Sequence, residues 1–337
     1  MICVWRPALL VALVALACLP TDLFAWTPGT HILLGEALLG SAEVLLPAGI
    51  AALLRAFPMD FLYGSIAADT SFAKRYAKVG RHCHFWSVAD DIADRARDEP
   101  LQAFAYGYLA HLAADVVAHN HFVPHQLAIT AATSGAGHGY WESRFEMQTG
   151  DRWARRAREV IQLDHGHADE HLDRILSPTI FSTPTNRRIF RGMVHASDSQ
   201  SWQRVMTLMA ERSRYPLRDA TVAAHLEVAF DYVVDCLANG TQCVPRRFDP
   251  SGEASLREAK QLRRASKAGG ERAIRRDAAD RFRLPSAGLG FAQRLPSPLH
   301  APATSPATSP ATSPATSPAT SPATSPATSR SDPPAAG

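Results

Sequence analysis

Residues 103–124 read AFAYGYLAHLAADVVAHNHFVP, and the spacing of their apolar and polar positions sets the fold class. Leu101, Phe104, Tyr108, Leu112 and Val116 recur at three- and four-residue intervals, the signature of one buried stripe on an α-helix. The pattern continues outward in both directions. Phe85, Val88, Ala89, Ile92, Ala93 and Ala96 fall at i, i+3, i+4, i+7, i+8 and i+11, and Val222, Leu226, Phe230, Val233, Val234 and Leu237 form a third stripe. Alternating strand-like runs bounded by turns do not occur between Trp26 and Pro245. The region reads as an all-α domain of about eight to ten helices, and a length of roughly 220 residues needs only one domain.

The polar positions of the same stretch carry chemistry. His111 and Asp115 lie four residues apart, share a helix face and can chelate one ion, although alone they read equally as a helix-surface pair. At about 100° per residue, His121 lies about 80° round from His111 and is better placed for a second ion. His119 shares roughly the face of His111 and is read as supporting a ligand rather than as one. Downstream, GHGYWE gives His138 and Glu142, another pair four apart. Upstream, YGSIAADTS offers Asp69, and RHCHFW offers His84 with His82 as its competitor. Ten of the 14 histidines fall between His31 and His167, so the clustering is a metal-site question first. Imidazole with carboxylate and no thiolate suits catalytic zinc. His125, His165, His167, His171, His195 and His225 read as surface or capping residues, and Tyr106, Phe122, Tyr140 and Trp141 as core.

The ends of the chain have different character. Residues 1–25, MICVWRPALLVALVALACLPTDLFA, place Arg6 before an apolar run from Ala8 to Leu19, and read as a secretory signal cleaved after Ala25. A lipoprotein cut before Cys18 is the alternative. Cleavage at Ala25 exposes Trp26, whose α-amino group (ordinary pKa about 8) and carbonyl oxygen can form a five-membered chelate ring, with His31 close behind. Of the five cysteines, Cys83, Cys236 and Cys243 then remain, and the last two flank LANGTQ as a local disulfide or as two thiols. From Ala303 the unit Ala-Thr-Ser-Pro repeats six times, and proline at every fourth position forbids helix. Between Arg246 and Arg294 stand 13 Lys/Arg against six Asp/Glu. The net charge of +3 therefore combines an acidic first 245 residues with a basic remainder, suited either to an anionic surface of lipid or nucleic acid or to a solvated charged helix. The expected organisation is a signal peptide over 1–25, a helical domain over 26–245, a basic linker over 246–300, helical or disordered, and a disordered repeat tail over 301–337.

Taken in order, Trp26 with His31, Asp69 in its YGSIAAD segment, His84 in HCHFW, His111-x3-Asp115-x5-His121 and His138-x3-Glu142 resemble the zinc-dependent phospholipase C family, related to the single-strand-specific zinc nucleases. The resemblance covers most of 26–245 and implies an all-α enzyme with up to three zinc ions in a cleft between helices. It implies one ion held by Asp69, His84, His111 and Asp115, and a second by His121, His138 and Glu142. A third would take the Trp26 amino and carbonyl groups, His31 and a bridging Asp115. Such a site binds phosphodiester oxygens, lowers the pKa of a bridging water toward 7 so that it acts as hydroxide, and stabilises the departing alkoxide; Asp69 is the implied base. Two departures bear on substrate: the short Trp-to-His spacing is like the nucleases, and Gly29 stands where the phospholipases carry an acidic residue. Glu142 instead matches the phospholipases.

The resulting expectation is an exported phosphodiesterase, periplasmic or extracellular, a phospholipase C acting on glycerophospholipids at a membrane surface. Two other readings stand beside it: a zinc nuclease acting on single-stranded nucleic acid, and an inactive helical module that keeps its metals structurally. The acidic charge of the folded part weighs against the nuclease, which needs a cationic rim and stacking aromatics.

Overall fold

The computed structural model describes residues 26–71, 83–130, 134–176, 181–286 and 288–300, and no strand occurs among them. Helices α1 (Pro28–Leu39), α2 (Ala42–Leu45), α3 (Ala48–Ala56) and α4 (Pro58–Ala67) are followed by α5 (Trp86–Asp94) and α6 (Glu99–Val117). Then come α7 (Val123–Ile129), α8 (Ser134–Thr149), α9 (Arg152–Gln162), α10 (Gly166–Asp173), α11 (Thr183–Ser197), α12 (Gln200–Glu211) and α13 (Asp219–Asn239). Two further helices, α14 (Glu253–Ser266) and α15 (Gly270–Arg281), complete the set. The thirteen α-helical segments up to Asn239 exceed the eight to ten expected, because prolines at 47 and 58 stand at the boundaries of α2, α3 and α4 and make several of them short.

Helix α6 is the axis of the fold. Its start is written locally: the Asp98 carboxylate accepts the Leu101 N–H at 3.0 Å, with Pro100 in the first turn where its missing N–H costs nothing. The expected stripe of Leu101, Phe104, Tyr108, Leu112 and Val116 is buried, but so are Ala103, Ala105, Gly107, Ala110, Ala113 and Val117. Small residues on the remaining sides let neighbouring helices close in all round, and α4 and α13 make the largest contacts. Helix α4 approaches so closely that a Cβ on Gly64 would overlap the Phe104 carbonyl, and one on Gly107 would overlap the Phe61 carbonyl. The stripe on α13 is buried throughout against α6.

After Val117 the chain widens into a single π-turn, Ala118–Phe122, in which the Val123 N–H reaches back to the Ala118 carbonyl. Pro124 supplies a local reason: it has no N–H to offer Asn120 four residues earlier, so the regular ladder cannot continue there.

Residues 246–300, expected as a linker, belong to the same compact unit, Met1–Pro302, as everything else described. Arg246 makes a bidentate pair with Asp90 at 2.6 and 2.8 Å, and the Trp86 indole donates to the Phe248 carbonyl at 3.0 Å. Ala259, Ala278 and Phe282 enter the core, and the Asp231 carboxylate accepts the N–H groups of Gly290 and Ala292. Part of the basic excess is balanced at the surface, where Arg257, Arg275 and Arg281 pair with Glu253, Glu271 and Glu258. Cys236 and Cys243 are buried free thiols, hydrogen-bonded to each other. The signal-like segment, His82 and the repeat tail lie outside the described residues.

Candidate metal centre

Five of the nine ligand candidates converge on one buried point. His111 and Asp115 come from successive turns of α6, Asp69 from the 3-10 turn closing α4, His84 from the turn before α5, and His31 from α1. His84 Nε2 lies 3.0 Å from Asp115 Oδ2, His111 Nε2 3.1 Å from the same oxygen, and His31 Nε2 3.3 Å from Asp115 Oδ1. Asp69 Oδ1 is 3.5 Å from His84 Nε2 and 3.9 Å from His111 Nε2. The His31 and His111 rings stack at 4.0 Å, and all five residues are at most 2% exposed.

The outer nitrogens of these rings are fixed by the fold. His111 Nδ1–H donates to the Ser65 carbonyl at 2.9 Å, an acceptor left over in the last turn of α4. His84 Nδ1 meets the Cys83 thiol at 3.2 Å, and the Tyr108 hydroxyl holds the Cys83 carbonyl at 2.7 Å. Each arrangement aims Nε2 inward, as metal-binding imidazoles require. Burial pushes the Asp115 carboxyl up, but the imidazoles of His111, His31 and His84 outweigh it and hold it well below the usual carboxylate range. Burial and the adjacent His111 lower His31, so its imidazole is biased toward the neutral form that binds metal.

A second group forms around α8. His138 Nε2 lies 2.6 Å from Glu142 Oε1, and His119 Nε2 lies 3.9 Å from the same oxygen. The His119 ring is 5.2 Å from His138 and 6.3 Å from His84, so it bridges the two groups. This corrects the expectation for the second ion. The structure brings His119, not His121, to His138 and Glu142. The π-turn opens only at Ala118, so His119 still follows His111 and Asp115 at four-residue steps on one face. His121 is carried past that face, where its Nδ1–H donates to the Arg283 carbonyl at 2.9 Å and its ring edge meets Phe248. The i, i+4, i+8 spacing of His111, Asp115 and His119 was the signal in the sequence that pointed to it.

Trp26 is fully buried and its ring stacks on Phe145 at 4.7 Å. The carboxylate of Glu146 lies over the first turn of α1, against the Thr27 hydroxyl and the Gly29 and Thr30 N–H groups, and a Cβ on Gly29 would strike it. Burial raises the Glu146 carboxyl despite those donors. The HGHADEH string (His165–His171) gathers no ligand set among the described residues. His165 and His171 are buried rather than on the surface, and they donate to the Val160 and Ile92 carbonyls at 2.7 and 2.9 Å. These carbonyls lie in the last turns of α9 and α5, and that of Val160 also accepts the Leu163 N–H at 3.2 Å. His225 is half-buried and donates to the Thr221 carbonyl at 2.7 Å, with desolvation lowering it to about 4. Phe122 and Trp141 are core residues, each 1% exposed.

The donor set fits zinc. Two carboxylates and three imidazoles deprived of water form a concentration of buried charge and lone pairs that a divalent cation compensates, and no thiolate is present.

Residues 30–179 match the family described as zinc dependent phospholipase C. No curated protein and no solved structure matches the chain. The matched span contains every ligand candidate except Trp26. Over residues 30–179 the chain is therefore similar to the zinc-dependent phospholipase C family, the likeness that the order of its ligand candidates implied.

Proposed function

We propose that this protein is an exported phospholipase C that hydrolyses glycerophospholipids with up to three zinc ions. The observation that carries the reading is the buried junction of the two ligand groups, with His119 lying between His84 and His138. Zinc bound there would neutralise the phosphodiester oxygens, acidify water and stabilise the departing alkoxide.

The chain's own residues have distinct parts in this scheme. Asp115 is shared by His31, His84 and His111 and would bridge two ions; the Trp26 main-chain groups would complete the His31 site once residue 25 is removed. Asp69, 3.5 Å from His84, would orient the attacking water and accept its proton. His119, His138 and Glu142 would hold the remaining ion. The exposed cations Lys260, Arg264, Lys267 and Arg272 would meet anionic lipid, keeping the enzyme at the membrane surface.

The test is a side-by-side assay of the zinc-loaded protein beginning at Trp26 on phospholipid vesicles and single-stranded DNA. Release of a phosphorylated headgroup is expected. Cleavage of DNA alone would replace the reading with a nuclease, and full activity in chelator would end it. Asp69→Asn should abolish turnover with zinc retained; an unchanged biological readout for that variant would favour a binding module.

A further inference from the structure

The π-turn that presents His119 is gripped from outside the family-matched span. Asp249 and Ser251 form a turn in which the Gly252 N–H donates to the Asp249 carbonyl at 3.1 Å, and this turn leads into α14. His119 Nδ1–H donates to the Pro250 carbonyl at 2.6 Å. Asn120 Nδ2 donates to the Asp249 carbonyl at 2.8 Å, and its Oδ1 accepts the Ser255 hydroxyl at 2.9 Å. Gly252 adopts φ +59°, ψ 20°, and a Cβ there would strike the Cβ and carbonyl of His119. Just beyond, Arg263 donates to the Ala128 carbonyl at the end of α7, and the Arg283 carbonyl takes His121 Nδ1–H.

Each contact has a consequence for His119. An imidazole has two tautomers, and the Pro250 carbonyl accepts a proton only from Nδ1, which leaves the Nε2 lone pair facing Glu142 and His138. Asn120 ties the next residue to the same loop, so the backbone that carries the His119 ring cannot shift away from the loop without breaking a second bond. The glycine lets the loop backbone lie directly against the His119 main chain, an approach that no other residue permits.

We propose that the 249–252 loop, with the helical hairpin α14–α15 behind it, is a working part of the metal centre: it selects the tautomer and fixes the orientation of His119, and Gly252 and Asn120 are positioning residues for one zinc ion. The inference rests on the zinc site proposed above. It also assigns a role to a basic segment that lies beyond residue 179, where the family match ends.

The test compares full-length wild type, Gly252→Ala, Asn120→Ala and Gly270→Ala. Gly270 is the control for backbone strain, since it has φ +75° in the same hairpin but nothing within 4 Å of an added Cβ. Zinc content is measured against a competing chelator, and the visible absorption spectrum is recorded after cobalt substitution, neither of which needs turnover. One ion should bind about 10- to 100-fold more weakly in Gly252→Ala and Asn120→Ala, with an altered cobalt spectrum, while Gly270→Ala keeps wild-type metal affinity even if its melting temperature falls. Wild-type affinity and spectrum in both Gly252→Ala and Asn120→Ala would overturn the inference, and so would an equal loss in Gly270→Ala. A wild-type protein that takes up no zinc would overturn the proposed function together with it.

Discussion

Gly64→Ala adds one methyl group where the fold has no room for it. The methyl would overlap the Phe104 carbonyl and also crowd the backbone of Gly107, so the obstacle is main chain on both counts and no side chain can swing aside. Helices α4 and α6 must separate by on the order of an ångström, which loosens the largest interhelical contact among the described residues. Overpacking of this kind costs about 1–3 kcal/mol, and the rigid obstacle places this case at the upper end. For a domain of this size that amounts to a fall of about 6–12 °C in melting temperature. The shift also acts on the site, because Ser65, the next residue, accepts His111 Nδ1–H, and Asp69 lies just past the end of α4. Gly192→Ala is the matched comparison: it is exposed within α11, nothing lies within 4 Å of its added Cβ, and alanine should stabilise by about 0.5–1 kcal/mol. Calorimetry of both variants, with zinc content measured in parallel, provides the check. A Gly64→Ala protein melting at or above wild type, or the two variants moving together, would refute the close-approach argument.

His119→Ala should lose one zinc equivalent, whereas His121→Ala should keep the full complement and lose about 1 kcal/mol with its bond to the Arg283 carbonyl; elemental analysis separates the two, and the opposite pattern would restore His121 as the ligand. Glu146 binds its proton more tightly folded than unfolded, so its contribution to stability should fall as pH rises from the ordinary glutamate value of about 4.3 through the raised folded one. Glu146→Gln should remove that component, and identical pH–stability profiles for the two proteins would contradict the assignment. Chelator should lower the melting temperature because the folded state alone assembles the site: about 4 kcal/mol is lost when zinc had stood at a thousandfold excess over Kd. An unchanged melting temperature after verified zinc removal would show that the cluster does not depend on the ion.

Legibility in the sequence followed the range of the interactions concerned. The helical stripes on α6 and α13 repeat within a single element, and they fill with core residues at the expected positions. The crossing at Gly64 and Gly107 depends on two glycines 43 residues apart meeting face to face, and neither advertises the other. The basic segment misled for a related reason. Its apolar anchors, Ala259, Ala278 and Phe282, are few and widely spaced among arginines, so the sequence resembles a solvated linker. Its charges are balanced along each helix, as in Arg275 with Glu271, and across the hairpin, as in Arg281 with Glu258, and the second kind of pairing appears only once the two helices are placed together.

The site divides along the same line. His111 and Asp115 were found because one helix dictates their common face, and His138 with Glu142 for the same reason. His119 was on that face by spacing, but the resemblance drew the ligand two residues further on, to His121. A histidine two positions along a helix points about 160° away, so the two choices predict opposite surroundings. The structure separates them by what each ring does with its second nitrogen. His111 and His119 both give Nδ1–H to a backbone carbonyl and turn Nε2 toward a carboxylate, whereas His121 gives Nδ1–H to the Arg283 carbonyl with no carboxylate of the cluster before it. Spacing along α6 thus names the candidates, and the carboxylate in front of Nε2, rather than the carbonyl behind the ring, distinguishes a ligand from a neighbour. For His119 the carbonyl that holds the ring in that orientation belongs to Pro250, 131 residues along the chain, so the support of the candidate metal centre extends beyond the family-matched span.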